Sequence, residues 1–225
     1  TIFGVVDEER KININTADRK VVERIFRTAG LGEQDSQDLA ASIEDWRDKD
    51  SELSLPLGSA EGSYYRNTGN PYDSKDAPFD LLDEVLLVKG MTPEILDTVK
   101  DHITVYGDGK VNVNTASKAV LMALGLKETL ADAIISFRYG KDGAPGTGDD
   151  NFFNTPSNIV PSISQASRLS PSDTAELSNV ADLYLTTASK IFMIRSVSRI
   201  AGKKQEMRST CVVTRNGRIL YWRDS

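Results

Sequence analysis

The sequence feature that most constrains the fold is an internal repeat. The segment KININTA at residues 11–17 recurs as KVNVNTA at residues 110–116. In each copy an apolar run at helical spacing follows, and it ends on an aromatic residue and an arginine. Apolar residues spaced by three and four positions line one face of a helix. The pattern therefore predicts a helical domain with an internal repeat over residues 11–50 and 110–142.

Local signals predict where several helices and loops begin. Thr16 and Thr115 end the repeated motif, and a threonine before an apolar-periodic run is a typical helix N-cap. Between the copies, residues 79–88 and 92–99 are predicted to form a helix pair joined by a turn at 89–91, with a Thr-Pro-Glu start to the second helix. Residues 141–190 are rich in glycine and proline, which predicts a long excursion that returns to a sheet near Leu183.

The C-terminal part of the chain shows strand patterns instead. Residues 191–200 and 205–214 are rich in β-branched and apolar side chains and are separated by a predicted turn at 201–204. Asn216 and Gly217 form the dipeptide that favours a tight hairpin, because both central positions of that turn need positive φ. A third strand is predicted over residues 219–222. Helices in the middle of the chain and antiparallel strands at its end predict an α+β fold.

Composition excludes several classes of protein. The net charge is −6, so a nucleic-acid interface would need a segregated basic face, and no basic run is present. One cysteine, Cys211, and one histidine, His102, allow neither an intrachain disulfide nor a Cys/His zinc cage. No stretch reaches the roughly 18 consecutive apolar residues of a membrane span. No local pattern supports a catalytic site, and the chain is predicted not to be an enzyme. Because it opens at Thr1 without a methionine, we expect a targeting or anchoring segment to have been removed.

Two acidic loops follow the two repeat copies. The first covers residues 45–52 and reaches 58–61, and the second covers 142–151. Calcium takes six to eight oxygen ligands at flexible spacing, and closely spaced carboxylates with loop carbonyls supply them. Neither loop fits the EF-hand spacing. A solvated acidic turn and a calcium site both stay open as interpretations of each loop.

A competing hypothesis is a helix-hairpin-helix that binds nucleic acid. Gly30 and Gly32 lie between two helical runs, in the arrangement whose backbone amides can hold a phosphate. Glu33, Asp35 and Asp38 follow immediately and place negative charge where a phosphate would approach. A hairpin that serves only for packing fits these residues better, and nucleic-acid binding is kept as the alternative function.

A family resemblance rests on several segments of the chain. They are residues 7–15, 43–50, 58–61, 64–65, 71–72, 78–80, 84–85, 88–92 and 105–116, of which the last is the most specific. These segments resemble general secretion pathway protein K, a minor pseudopilin of type II secretion, over about residues 5–140. The resemblance implies a pilin-like antiparallel β-sheet formed by residues 1–12 and 180–225. It also implies a large inserted helical domain, SAM-like or helix-hairpin-helix-like, over residues 13–179.

The resemblance also implies a function and a location. Members of this family sit at the tip of the pseudopilus with the minor pseudopilins I and J and help to initiate its assembly, and secreted substrates and the outer-membrane channel are further partners to consider. A family member is anchored in the bacterial inner membrane by an N-terminal helix, absent from this chain, and its remaining part is periplasmic. Calcium is known in the helical domain of the family. The matching positions for it here are Asp48, Asp50 and Glu61. The second loop is not matched by the resemblance, and its candidate ligands, Asp142, Asp149 and Asp150, rest on the acidic pattern alone.

Overall fold

The computed structural model describes residues 2–199 and 206–224, and the predicted turn at 201–204 lies outside these residues. The helices are α1 (Arg19–Thr28), α2 (Glu33–Arg47), α3 (Gly62–Arg66), α4 (Pro93–Val99), α5 (Lys118–Ala123), α6 (Glu128–Arg138), α7 (Ile159–Ala166) and α8 (Pro171–Tyr184). The strands are β1 (Ile2–Asp7), β2 (Ile12–Asn13), β3 (Ile103–Thr104), β4 (Val111–Asn112), β5 (Leu185–Thr186), β6 (Ile191–Arg199), β7 (Glu206–Thr214) and β8 (Ile219–Asp224). Short 3₁₀ turns cover Glu8–Arg10, Leu82–Leu87 and Pro156–Asn158. The predicted α+β fold class is confirmed.

A four-stranded antiparallel sheet joins the two ends of the chain. Its strand order is β1-β6-β7-β8. The hairpin between β7 and β8 turns at Gly217, whose φ is +86°, but Asn216 does not have the positive φ that the predicted two-residue turn requires, and Thr214 pairs with Arg218 across a three-residue loop instead. Cys211 on β7 is a free, buried thiol, as expected from its strand pattern. Leu183, near which a return to the sheet was predicted, still belongs to helix α8. The chain rejoins the four-stranded sheet at Ile191, where β6 begins.

The two repeat copies build the same local structure. β2 pairs in parallel with β3, and β4 pairs in parallel with β5. Asn15 donates to the carbonyls of Phe79 and Val105 at 3.0 and 3.2 Å and accepts from the Phe79 amide at 2.8 Å. Asn114 does the same with Phe153 and Thr187. It donates to their carbonyls at 3.0 Å each and accepts from the Phe153 amide at 2.7 Å. The second asparagine of the motif therefore ties distant loop segments to its own strand.

The arginine that ends each repeat forms hydrogen bonds with the backbone of the motif. Arg47 donates to the carbonyls of Ile14 and Ala17, and Arg138 donates to the equivalent carbonyls of Val113 and Ala116. The aromatic residue before each arginine is also used alike. Trp46 stacks on Phe79 with ring centroids 6.4 Å apart, and Phe137 stacks on Phe153 at 4.7 Å. The predicted repeat is therefore an architectural duplication that extends well beyond the short motif.

The predicted caps at Thr16 and Thr115 are wrong. The N-caps of α1 and α5 are Asp18 and Ser117, two residues further along the chain. The threonine hydroxyls instead face back toward the carbonyls of Asn13 and Asn112, at 3.4 Å in both copies. The repeated motif forms its own tight turn. The threonine belongs to this turn, and the helix begins only after it.

Two further expectations about the middle of the chain need correction. The predicted helix over 79–88 is only a 3₁₀ turn at Leu82–Leu87, although Thr92 caps α4 as expected and accepts from the Ile95 amide. The predicted excursion at 141–190 contains helices α7 and α8. Helix α8 starts with a capping box in which Ser170 and Asp173 each accept from the other's backbone amide. Pro156 and Pro171 stand at the first position of a 3₁₀ turn and of α8, where the missing amide costs nothing, Pro161 lies in the first turn of α7, and Pro145 lies in a loop.

Acidic residues after β1 connect the sheet to the helical domain. The carboxylate of Asp7 accepts from Asn112 at 3.0 Å and from Ser189 at 2.7 Å, which ties β1 to the second repeat. Glu8 forms a buried ion pair with Lys11 at 2.9 Å. Since buried carboxylates and amides are stable only when hydrogen-bonded, these contacts fix the junction of the two parts. Within residues 2–199 and 206–224, no helix is both long and apolar enough to cross a membrane.

Candidate metal centre

Three carboxylates converge where helix α2 ends and helix α3 begins. Asp48 is the residue after the last turn of α2, and Glu61 immediately precedes α3. Asp50 lies in the loop between them. One oxygen from each of these side chains lies within 4.8 Å of one from each of the others. Glu61 is buried, Asp48 is half-buried and Asp50 is exposed, so the cluster opens to solvent on one side. These are the three residues that the family resemblance named.

A fourth carboxylate, Asp45, lies beside the cluster and was not singled out from the sequence. It is fully buried on the last turn of α2, and its Oδ1 accepts from the Ser54 amide at 2.9 Å. Its second oxygen, Oδ2, has no hydrogen-bond partner, and neither do Oδ1 of Asp48 and Oε1 of Glu61. Buried carboxylate oxygens are nearly always satisfied in folded proteins. Three such orphan oxygens around one point indicate a place for a cation.

The raised pKa values of the clustered carboxyl groups also indicate a place for a cation. Burial and the neighbouring carboxylates of Asp50 and Asp45 raise the pKa of Asp48 to about 6. Burial and the carboxylates of Asp45 and Asp48 raise the pKa of Glu61 to about 7. In the part of the chain that the structure describes, no lysine or arginine forms an ion pair with any member of the cluster. The negative charge is therefore concentrated and uncompensated by side chains.

The loop that carries these carboxylates is held in place by Lys89. Its ammonium group donates to the carbonyls of Gly58 at 2.9 Å and Ser59 at 3.2 Å, just before Glu61. Beneath the loop, Trp46 and Tyr65 meet edge to face with centroids 5.0 Å apart. Both rings are almost fully buried. The aromatic packing and the hydrogen bonds from Lys89 therefore fix the loop without using the oxygens of its carboxylates.

The donor set fits a hard divalent cation. The cluster offers only carboxylate oxygens, which calcium and magnesium prefer, whereas softer transition metals prefer nitrogen and sulfur ligands. A loop with mixed exposure and irregular backbone suits calcium, which accepts six to eight ligands in flexible geometry, better than magnesium, which demands a near-ideal octahedron. Asp48, Asp50 and Glu61 would hold such an ion, and Asp45 would lie against it. A bound cation would neutralise the cluster and brace the α2–α3 connection.

The second acidic loop is organised differently. Asp149 accepts from the amides of Lys141 and Asp142 at 2.6 and 3.1 Å, and Asp150 accepts from the Gly146 amide at 2.6 Å. Hydrogen bonds from Thr147 and these amides lower the pKa of Asp149. Over residues 2–199 and 206–224, Asp142, Asp149 and Asp150 do not form a group with metal-ligand spacing. Calcium at this loop remains a prediction.

The hairpin considered for nucleic acid is present between α1 and α2. Gly30 has a φ of +98° and Gly32 is the residue before α2, as the h-G-h-G pattern predicts. The first turn of α2 carries Glu33 and Asp35. A phosphate approaching these amides would therefore meet two carboxylates, which opposes binding.

Two comparisons with known proteins show what the chain is similar to. Residues 5–108 match the family model described as type II secretion system (T2SS), protein K. The fold is similar to a chain in the crystal structure of the GspK-GspI-GspJ complex from the type 2 secretion system of enterotoxigenic Escherichia coli, with a TM-score of 0.73 and 16% sequence identity. The similarity covers 99% of this chain and 79% of that chain. No curated protein matches the sequence.

Proposed function

Because residues 5–108 match the family model of protein K of the type II secretion system, we propose that the chain is a minor pseudopilin that works at the pseudopilus tip and helps to initiate assembly. The observation that carries this proposal is the agreement of two independent comparisons. The family match covers the first repeat and its acidic loop, and the fold similarity extends over 99% of the chain. A protein of this kind acts by binding other subunits and needs no catalytic site.

We further propose that its direct partners are the minor pseudopilins I and J of the same secretion system. The structurally similar chain belongs to a complex of GspK, GspI and GspJ, which supports this choice. Nucleic acid is not proposed as a partner, since the hairpin between α1 and α2 is acidic at the end where a phosphate would bind. Secreted substrates and the outer-membrane channel remain candidates for contact with the helical domain.

The proposed location is the periplasm, with attachment to the inner membrane through an N-terminal helix. Calcium is proposed as a structural ion at Asp48, Asp50 and Glu61. The three orphan carboxylate oxygens support this assignment. In this role the ion would stabilise the α2–α3 connection of the helical domain and take no part in chemistry.

Removal of the protein from its bacterium tests the proposed function. We expect deletion of its gene to abolish export of the proteins that this secretion system releases, because pseudopilus assembly would not be initiated. Export is measured as the secreted fraction in the medium against the periplasmic fraction. Resupplying the full natural protein should restore it, whereas undiminished export in the deletion strain would contradict the proposal.

A further inference from the structure

A cleft of about 290 Å³ lies between the sheet and the helical domain. One face of the sheet forms its first wall, with side chains from β6, β7 and β8. The second wall is the start of the 3₁₀ turn at Leu82–Leu87 together with Tyr106, and Thr104 and the ion pair of Glu8 with Lys11 also line the space. We call this space the interdomain cleft. It is separate from the carboxylate cluster, with which it shares no lining residue.

The sheet wall consists of two cross-strand rows with different chemistry. Met193, Val212 and Tyr221 are register partners and form an apolar row. Arg195, Thr210 and Arg223 are register partners two residues further along and form a polar row. Partners in adjacent strands have Cβ atoms roughly 5 Å apart, so each row acts as a continuous strip. The cleft therefore offers an apolar strip beside a strip of hydrogen-bond donors.

The donor strip carries more positive charge than the cleft neutralises. Arg223 faces the exposed carboxylate of Asp83 across the cleft at 3.5 Å, which is a weak contact. Arg195 has no acidic partner among the residues that the structure describes, and its Nε lies 3.2 Å from the sulfur of Met193. At the base, the pKa of Tyr106 is raised to about 12 by burial and by its neighbours Glu8 and Tyr221. Like any tyrosine at neutral pH, its phenol is protonated and can donate.

The surrounding sheet strengthens this positive field. Residues 191–199 and 206–224, which carry β6, β7 and β8, contain six arginines against two acidic residues, although the whole chain has a net charge of −6. Charge of one sign collected on one part of a molecule attracts a ligand of the opposite sign and orients its approach. The cleft is at the small end of the range for ligand sites, which suits one bulky side chain and a neighbouring carboxylate.

We propose that the interdomain cleft binds an extended peptide segment of a partner protein that presents a carboxylate beside a bulky apolar side chain. The carboxylate lies against Arg195 and Arg223, where charge-assisted hydrogen bonds form. The apolar side chain packs on Met193, Val212 and Tyr221. Binding there would connect the sheet to the helical domain through the partner. The proposal does not depend on a bound cation or on the assembly role of the chain.

The experiment uses two capped tripeptides as probes, N-acetyl-Leu-Asp-Leu amide and its neutral analogue N-acetyl-Leu-Asn-Leu amide. Each is titrated into the ¹⁵N-labelled protein while amide chemical shifts are followed. We expect the aspartate peptide to shift amides of β6, β7 and β8 beside the cleft and to bind about tenfold more tightly than the asparagine peptide, because only it has the charge. Equal binding of the two peptides would overturn the proposal.

Matched variants locate the site. Arg195→Gln should weaken binding of the aspartate peptide about tenfold, whereas Arg218→Gln, in the turn between β7 and β8 and outside the cleft, should leave it unchanged. Both arginines are exposed, so both variants should fold, as an unchanged melting temperature would verify. Equal losses in the two variants would mean unspecific attraction and would refute the site. Tighter binding of decanoate than of the peptide at the same amides would identify a lipid-like occupant and refute a peptide.

Discussion

Calcium at a hundredfold excess over its dissociation constant is expected to raise the free energy of unfolding by about 2.7 kcal/mol. The physical reason is that the ion binds a carboxylate cluster that exists only in the folded chain. Asp48, Asp50 and Glu61 come together across the α2–α3 connection, and one oxygen each of Asp48, Glu61 and the adjacent Asp45 loses hydration on folding without gaining a partner. For a chain of this length the melting temperature should rise by roughly 5–10 °C. Thermal melts with calcium and with chelator measure this shift.

A pair of substitutions assigns the shift to the first acidic loop. Glu61→Gln should nearly abolish the response to calcium and should stabilise the chelated protein slightly, because it removes charge from a repulsive cluster. Asp149→Asn, in the second loop, should retain the response of the wild type. Magnesium at the same concentration should give a smaller shift. A calcium shift that persists in Glu61→Gln and disappears in Asp149→Asn would place the ion at the second acidic loop and contradict the assignment.

The size of the calcium shift should also depend on pH. The folded-state pKa values of Asp48 and Glu61, about 6 and about 7, lie above the ordinary values near 4. The folded state therefore binds more protons than the unfolded state between pH 4 and 7, and the chelated protein loses stability as the pH rises through this window. Calcium competes with those protons, so its effect should be larger at pH 8 than at pH 5. A larger effect at pH 5 would show that these carboxylates do not bind the ion.

Asn114→Ala is expected to destabilise the protein by about 3 kcal/mol. The side chain makes three hydrogen bonds, two to the carbonyls of Phe153 and Thr187 and one from the Phe153 amide, and each is worth roughly 1 kcal/mol. It holds two segments of the chain that are distant in sequence against β4. Urea unfolding measures the loss, which corresponds to a fall of roughly 6–12 °C in melting temperature.

The equivalent residue of the first repeat provides an internal comparison. Asn15→Ala should cost a similar amount, because its contacts with Phe79 and Val105 have the same pattern. Asn67→Ala is the control, since its amide group is exposed and donates only to Ser63 one helical turn earlier. A loss below about 1 kcal/mol in Asn114→Ala, no greater than that in Asn67→Ala, would contradict a structural role for the repeated motif.

The repeat could be predicted because its residues make the same contacts twice. A motif that fixes its neighbours through the backbone, as Asn15 and Arg47 do, leaves the same letters at the same spacing in both copies. The C-terminal hairpin could be predicted for a similar local reason, since Gly217 supplies the positive φ that the turn needs. Features fixed by local geometry were therefore accessible from the sequence.

Features fixed by distant contacts were not accessible. The caps at Thr16 and Thr115 were misplaced, because only the folded motif shows that the threonines belong to its turn. Asp45 gave no distinguishing signal among many acidic residues, and its role emerges from complete burial and an unpartnered oxygen. The interdomain cleft depends on the register of three strands against a 3₁₀ turn about 110 residues earlier in the chain.

The most direct test of the central claim is the mass of the particle that forms when the protein is mixed with the minor pseudopilins I and J of its own secretion system. Size-exclusion chromatography with light scattering measures that mass. We expect one complex that contains a single copy of each of the three subunits. Separate elution of this protein from a complex of I and J, at concentrations well above micromolar, would contradict its assignment as their assembly partner.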